Sequence, residues 1–172
     1  GGTTLEELVG AYRALARGGI AGRPRLRAEQ PRIESRMMSA GAAWIVRDIL
    51  EGGGHPDRPF YQSGSPARRL AWKTGTSFGF RDAWAIGVTD RWTLGVWVGR
   101  PDGTPNPGFF GANVAAPLLQ DIVQALPEGG QQVRSRPETV QAAVTCWPLG
   151  YRLGSVPSGE CPEQRAAWLL ND

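Results

Sequence analysis

Lysine is almost absent from this chain. Nineteen of its 172 residues are basic, and all but one of these are arginine; the exception is Lys73. Arginine stays charged and offers a planar fork, whereas lysine is a compact, rotatable donor whose pKa moves readily beside cations or apolar walls. A chain that uses lysine once points to a position that needs an ammonium group. Histidine is as scarce. His55 lies in Gly-Gly-Gly-His-Pro and reads as a solvated loop residue, and with two cysteines it cannot complete a zinc set. No Cys-x-x-Cys occurs, so neither a metal nor a cofactor is expected. No apolar run approaches the roughly eighteen residues of a membrane span, and no stretch has the form of a secretory leader. A net charge of only +3 comes from scattered arginines. The densest group, Arg23-Pro24-Arg25-Leu26-Arg27, reads as a solvated loop, so a nucleic-acid partner is not expected.

What is present suffices for one domain with a tail. The 24 glycines and 14 prolines stay below the share of about 25–30% that marks disorder. Thr4-Leu5-Glu6-Glu7 has the form of a capping box, and Leu5, Leu8, Val9, Tyr12 and Leu15 follow at helical spacing until Gly18-Gly19. Residues 20–36 read as a polar connector. A second helix is predicted from Ser39 to the glycines at 52–54, burying Ala43, Ile45, Val46, Ile49 and Leu50. The period then changes to that of strands at residues 70–76, 83–89 and 93–98, with a tight turn at Asp90-Arg91. A third helix carries Leu118, Leu119, Ile122, Val123 and Leu126, with Pro117 in its first turn. Beyond it the chain looks looser, with one strand-like stretch at 139–145. Trp72, Trp84, Trp92 and Trp97 lie in or beside strands, where packing is a better reading than a carbohydrate platform. Cys146 and Cys161 enclose fourteen residues rich in Pro, Gly and Ser. A disulfide across such a loop contributes about 3 kcal/mol, and two separate thiols fit the spacing equally.

Two catalytic patterns overlap at residues 73–79. Gly75-Thr76-Ser77-Phe78-Gly79 satisfies the Gly-x-Ser-x-Gly elbow of α/β-hydrolases, with Ser77 as nucleophile. That elbow needs a helix after the serine and an acid and a histidine further on; here a strand follows and His55 comes before. Lys73-Thr74-Gly75-Thr76 on a strand fits a different set. It resembles the third motif of penicillin-binding proteins and serine β-lactamases. The longer run from Ala71 through Gly87, then Gly95-Val96-Trp97-Val98-Gly99-Arg100-Pro101-Asp102-Gly103, resembles the transpeptidase domain of bifunctional class A penicillin-binding proteins of the 1c type. The segment at 4–16 is similar to the helix that precedes this motif, and Cys146-Trp147-Pro148-Leu149-Gly150 with Cys161-Pro162 to the tail that leads into their C-terminal domain.

The resemblance implies a partial transpeptidase fold of α+β class, an antiparallel meander packed by helices. Residues 1–126 would be the C-terminal part of the transpeptidase domain and 127–172 an irregular tail or linker. It implies a peptidoglycan D,D-transpeptidase that forms a serine acyl-enzyme on D-Ala-D-Ala stem peptides and is a target of β-lactams. Lys73 and Thr76 would be catalytic. Lys73, Thr74, Gly75 and Thr76 would bind substrate: the ammonium and hydroxyls hold a terminal carboxylate, Gly75 admits the peptide backbone, and the Thr76 N–H forms half of an oxyanion hole. The site itself is expected on an edge strand, with Lys73 directed into a groove. A periplasmic location follows from the family, and with it a Cys146–Cys161 disulfide. The departure is plain: Leu70 stands where Ser-x-x-Lys would need serine, and no Ser-x-Asn occurs. Both motifs precede this one in the family, so the chain by itself is expected to be inactive. The family also places strands before the nucleophile that pair with the last meander strand, so 92–99 is expected to seek the upstream part or a symmetry mate. A non-catalytic wall-binding or scaffolding domain is the alternative, and the hydrolase through Ser77 another.

Overall fold

The computed structural model describes residues 2–52, 69–127, 134–155, 157 and 159–171; His55 lies outside them. The first helix, α1 (Leu5–Ala16), begins at the capping box. The Thr4 hydroxyl accepts from the Glu7 amide at 3.1 Å, and the Glu7 carboxylate accepts from the Thr4 amide at 2.8 Å. That backbone hydrogen bond is the main reason the Glu7 carboxyl titrates below its ordinary range. The second helix, α2 (Ala40–Leu50), is capped by the Ser39 hydroxyl, which accepts from the Ala42 amide.

Between the helices, residues expected to be a connector contain a two-stranded antiparallel hairpin, β1 (Ile20–Gly22) with β2 (Glu34–Arg36). Three residues per strand are too few to show alternation. A tertiary contact secures the pair, since Arg13 of α1 donates to Glu34 at 2.8 Å.

The meander forms with strands β3 (Ala71–Thr76), β4 (Asp82–Val88) and β5 (Thr93–Gly99) in that spatial order, all antiparallel. The β4–β5 turn is held by Thr89, whose hydroxyl accepts from the amides of Arg91 and Trp92. Helices pack on both faces of β4, and its small residues all lie on one of those faces. Ala83 and Ala85 with Val96 meet Ala115, Ala116 and Leu119 of the C-terminal helical segment. On the opposite face Ala71 and Val88 pack with Leu15, flanked by Tyr12, Met38 and Leu50. The C-terminal segment is a π-helical turn, Gly111–Ala115, continuing into α3 (Ala116–Ala125).

Residues 127–172, expected to be irregular apart from one stretch, instead contain a second three-stranded antiparallel sheet in the order β7–β6–β8: β6 (Val140–Trp147), β7 (Tyr151–Arg152) and β8 (Glu163–Leu170). Its last strand, EQRAAWLL, has no two-residue period, which hid it from a pattern reading. Pairing with β6 makes it a strand, and a Cys146–Cys161 disulfide ties the sheet's far end.

The helix α2 also differs from expectation. Val46 and Ile49 are 38% and 55% exposed, while Arg47, Asp48 and the following Glu51 are buried. The charges are paired. Arg47 bridges Glu51 at 2.8 Å and Asp90 of the β4–β5 turn; Arg134 reaches Glu51 at 3.0 Å and Asp48 at 3.6 Å. Trp168 of β8 donates its indole N–H to Asp48 at 3.1 Å and meets Trp44 edge-on. Gly41 completes this contact: a Cβ there would stand 2.6 Å from the Thr139 hydroxyl and 3.1 Å from Val140.

Replacing Glu51 by Ala leaves two guanidinium groups without their shared carboxylate in buried surroundings. The expected loss is about 3–5 kcal/mol, read as a lower urea midpoint at unchanged slope. A loss under about 1 kcal/mol would mean that the network is effectively solvated.

Candidate functional site

The strand β3 is an edge of the meander: it pairs with β4 on one side and with no other strand among the described residues. Antiparallel pairing sorts its side chains. Lys73 and Gly75 share a face with Ile86 and Trp84, opposite which they sit, while Thr74 and Thr76 face the side of Ala83 and Ala85. Lys73 is exposed, and its ammonium donates to the Thr74 carbonyl at 2.6 Å. Thr74 is half-buried; Gly75 and Thr76 are exposed. The four residues singled out from the sequence therefore lie together on one accessible strand.

The support behind them was not legible. The Gly111 amide donates to the Thr76 hydroxyl at 3.1 Å. That hydroxyl's own proton remains for another acceptor, so the bond orients Thr76 as a donor. Gly111 can approach because it lacks a side chain: a Cβ would stand 2.5 Å from the carbonyl oxygens of both Gly75 and Trp84. Its turn is braced by Asn113, whose carbonyl oxygen accepts from the Phe110 amide at 2.7 Å and whose amide group donates to Gly108 O at 2.9 Å. A π-turn is a common device at functional sites, but the sequence GANVA carries no pattern that announces one.

Ser77 is occupied in closing the β3–β4 hairpin. Its hydroxyl accepts from the Asp82 amide at 2.9 Å and its amide donates to Asp82 O at 3.0 Å. Another strand follows, so the strand-to-helix turn of a hydrolase elbow is not present at Ser77. In the same hairpin Phe80 adopts φ 57°, unusual for a residue with a side chain. It is held there by the Asn106 amide, which donates to its carbonyl at 2.9 Å, and by the Phe110 ring packed edge-on at 5.2 Å.

The strand edge thus presents a lone ammonium, two hydroxyls and an unobstructed glycine beside backbone groups that no other described strand pairs. Comparison with known proteins gives the chain a family. Residues 2–124 match the penicillin binding protein transpeptidase domain, and residues 139–169 the penicillin-binding protein 1C linker domain. The chain belongs to the penicillin-binding protein transpeptidase family. It is 45% identical over 175 residues to penicillin-binding protein 1C of Escherichia coli K12, covering 99% of this chain and 22% of that protein. It is 33% identical over 99 residues to penicillin-binding protein 1B of Vibrio cholerae, covering 57% of this chain and 13% of the relative. The chain thus spans about a fifth or less of these curated relatives. A crystal structure of penicillin-binding protein 1A from Haemophilus influenzae superposes with a TM-score of 0.65 at 16% identity, over 98% of this chain and 32% of the other, and shares the fold.

Two glycines separate support from access. Gly111→Ala is expected to push β3 outward and cost roughly 1–3 kcal/mol. Gly75→Ala, whose added carbon would meet only Trp84 Cβ at 3.8 Å, should change stability by less than about 0.5 kcal/mol. Thermal unfolding of both variants checks the contrast, which fails if Gly75→Ala is the more damaging.

Proposed function

We propose that the chain is the recognition half of a peptidoglycan D,D-transpeptidase. One observation carries this reading: Lys73, Thr74, Gly75 and Thr76 share an accessible strand whose outer edge is unpaired among the described residues. A stem peptide ending in D-Ala-D-Ala would lie along that edge. The Thr74 and Thr76 hydroxyls, which share one face of the strand, would hold its terminal carboxylate by hydrogen bonds, and Lys73, whose ammonium curls back to the Thr74 carbonyl, would supply the balancing charge. Gly75 leaves room for the peptide backbone. The nucleophile would come from a segment preceding Gly1, since the only lysine has Leu70 three positions before it. Its serine oxygen would attack the penultimate carbonyl, with the negative charge on the carbonyl oxygen met by the Thr76 N–H. The terminal D-alanine leaves, and an amine of a neighbouring strand takes the acyl group and frees the serine. β-Lactams would acylate the same serine. This reading puts the parent protein in the periplasm, anchored in the inner membrane by an N-terminal segment that is not among these residues; no described helix is long and apolar enough to span a membrane.

The test is labelling by a fluorescent penicillin. The chain alone should take no covalent label. A longer protein that includes the preceding Ser-x-x-Lys should be labelled stoichiometrically, and Lys73→Ala should slow that labelling about 10–100-fold. Stoichiometric label on the chain alone would place the nucleophile at a residue such as Ser77 instead. A longer protein that stays unlabelled would favour a wall-binding or scaffolding role.

The second partner in this proposal is the preceding part of the domain itself. Strand β5 pairs only with β4 among the described residues, and Trp97 on it is 37% exposed. Leu118 and Ile122 on α3 are likewise uncovered. Free edges of apolar strands recruit another strand. The chain alone should therefore self-associate at high concentration, and adding the preceding segment should restore a monomer. Sedimentation showing a monomeric chain at all concentrations would count against the missing partner.

A further inference from the structure

Folding gathers arginines that the sequence scatters. Arg13 of α1 and Arg17 just past its end meet Arg23, Arg25, Arg27 and Arg32 from the β1–β2 loop around a cavity of about 410 Å³. Its walls carry one carboxylate, Glu34, which already pairs with Arg13 at 2.8 Å and Arg17 at 3.8 Å. Those guanidinium groups hold the Glu34 carboxyl below its ordinary range, the Arg13 hydrogen bond foremost. Arg23 leans on Glu6 at 3.3 Å. Arg25 spends its fork on the loop, donating to Ala28 O and Gln30 O, and the Gln30 side chain accepts from the amides of Leu26 and Arg27. The loop is thus fixed in shape, and Arg27 and Arg32 have no hydrogen-bonded or ion-paired carboxylate among the described residues. Six cations against two carboxylates, Glu34 and Glu6, leave an excess of positive charge that a bound anion would offset.

A second cavity, of about 670 Å³, adjoins the first and shares Arg23, Pro24, Arg25, Leu26 and Ile33 with it. Its remaining walls are the apolar Leu5, Val9 and Pro31 with two polar residues, Gln30 and Glu6, the latter already paired with Arg23. Leu26 between the two is 94% exposed and Ile33 57%. Charge on one side of Leu26 and apolar walls on the other match an amphiphile.

We propose that these joined cavities bind a phosphate-bearing amphiphile, its phosphate oxygens on the arginines and its apolar chain along Leu5, Val9, Leu26 and Ile33. A phosphate suits this set better than a carboxylate because its several terminal oxygens can engage more than one planar fork at once. The site is separate from the recognition strand, since no residue of β3 lines either cavity, and it does not rest on the transpeptidase reading.

Calorimetric titration distinguishes the possible sources, using monomeric dihexanoyl phosphatidic acid, dihexanoyl phosphatidylcholine and inorganic phosphate as probes. Phosphatidic acid should bind at least about tenfold more tightly than either other probe, and added salt should weaken it. The Arg27→Gln/Arg32→Gln variant should lose about tenfold or more. Leu26→Asn should lose about fivefold, while Arg152→Gln/Arg165→Gln, which removes the same charge elsewhere, should bind as the parent does. Inorganic phosphate binding as tightly as the lipid overturns the amphiphile. Binding insensitive to the cavity substitutions, or no binding at all, overturns the site. So does binding that vanishes in a protein extended upstream through Ser-x-x-Lys, because a segment of the protein itself would then fill the cavities.

Discussion

Glu51 holds two guanidinium groups at once, and the arrangement of the chain follows from that requirement. It sits one residue past the end of α2, is 3% exposed, and accepts from Arg47 one turn back and from Arg134 across the fold. Arg47 in turn reaches Asp90, which fixes α2 against the β4–β5 turn. Arg134 lies over Trp44 with its guanidinium carbon 5.1 Å from the ring centre. Buried ion pairs add little net stability, because desolvation offsets most of the attraction, but breaking one is costly. A carboxylate that must meet two fixed cations permits few relative placements of helix, turn and C-terminal sheet.

That sheet is therefore docked rather than appended. Gly41 lets β6 and its neighbouring residues close on α2, Trp168 seals the contact, and the disulfide stabilises the opposite end. The meander receives a comparable brace from the other direction. Gly111 rests against the backbones of Gly75 and Trp84 and orients the Thr76 hydroxyl. Strand β3 thus has a rigid back and an open edge, the combination that backbone recognition of an extended ligand needs.

Much of the frame was legible locally. The capping box at Thr4 and Glu7, the helix start near Ser39, the three meander strands and the helix through Leu119 each carry a short-range pattern, and each formed. The lone lysine and the residues around it marked the strand that the family comparisons place in a transpeptidase domain. Elements without a period of their own escaped notice. The β1–β2 hairpin is too short to alternate, and β8 is a strand because β6 offers it partners. Val46 and Ile49 looked like core and are exposed, because the face of α2 turned inward is the one whose charges find mates.

The sequence by itself determined the helices and meander strands, and it put the ammonium, hydroxyls and glycine within four consecutive residues. Those features depend on neighbours a few positions apart, so they survive in a reading of the chain alone. Only the tertiary structure decided which charges could be buried, where Gly111 supports Thr76, and that arginines from helix and loop surround one cavity. Each of these joins groups twenty or more residues apart in at least one of its contacts, and the free energy of bringing them together is a property of the packed fold rather than of any segment.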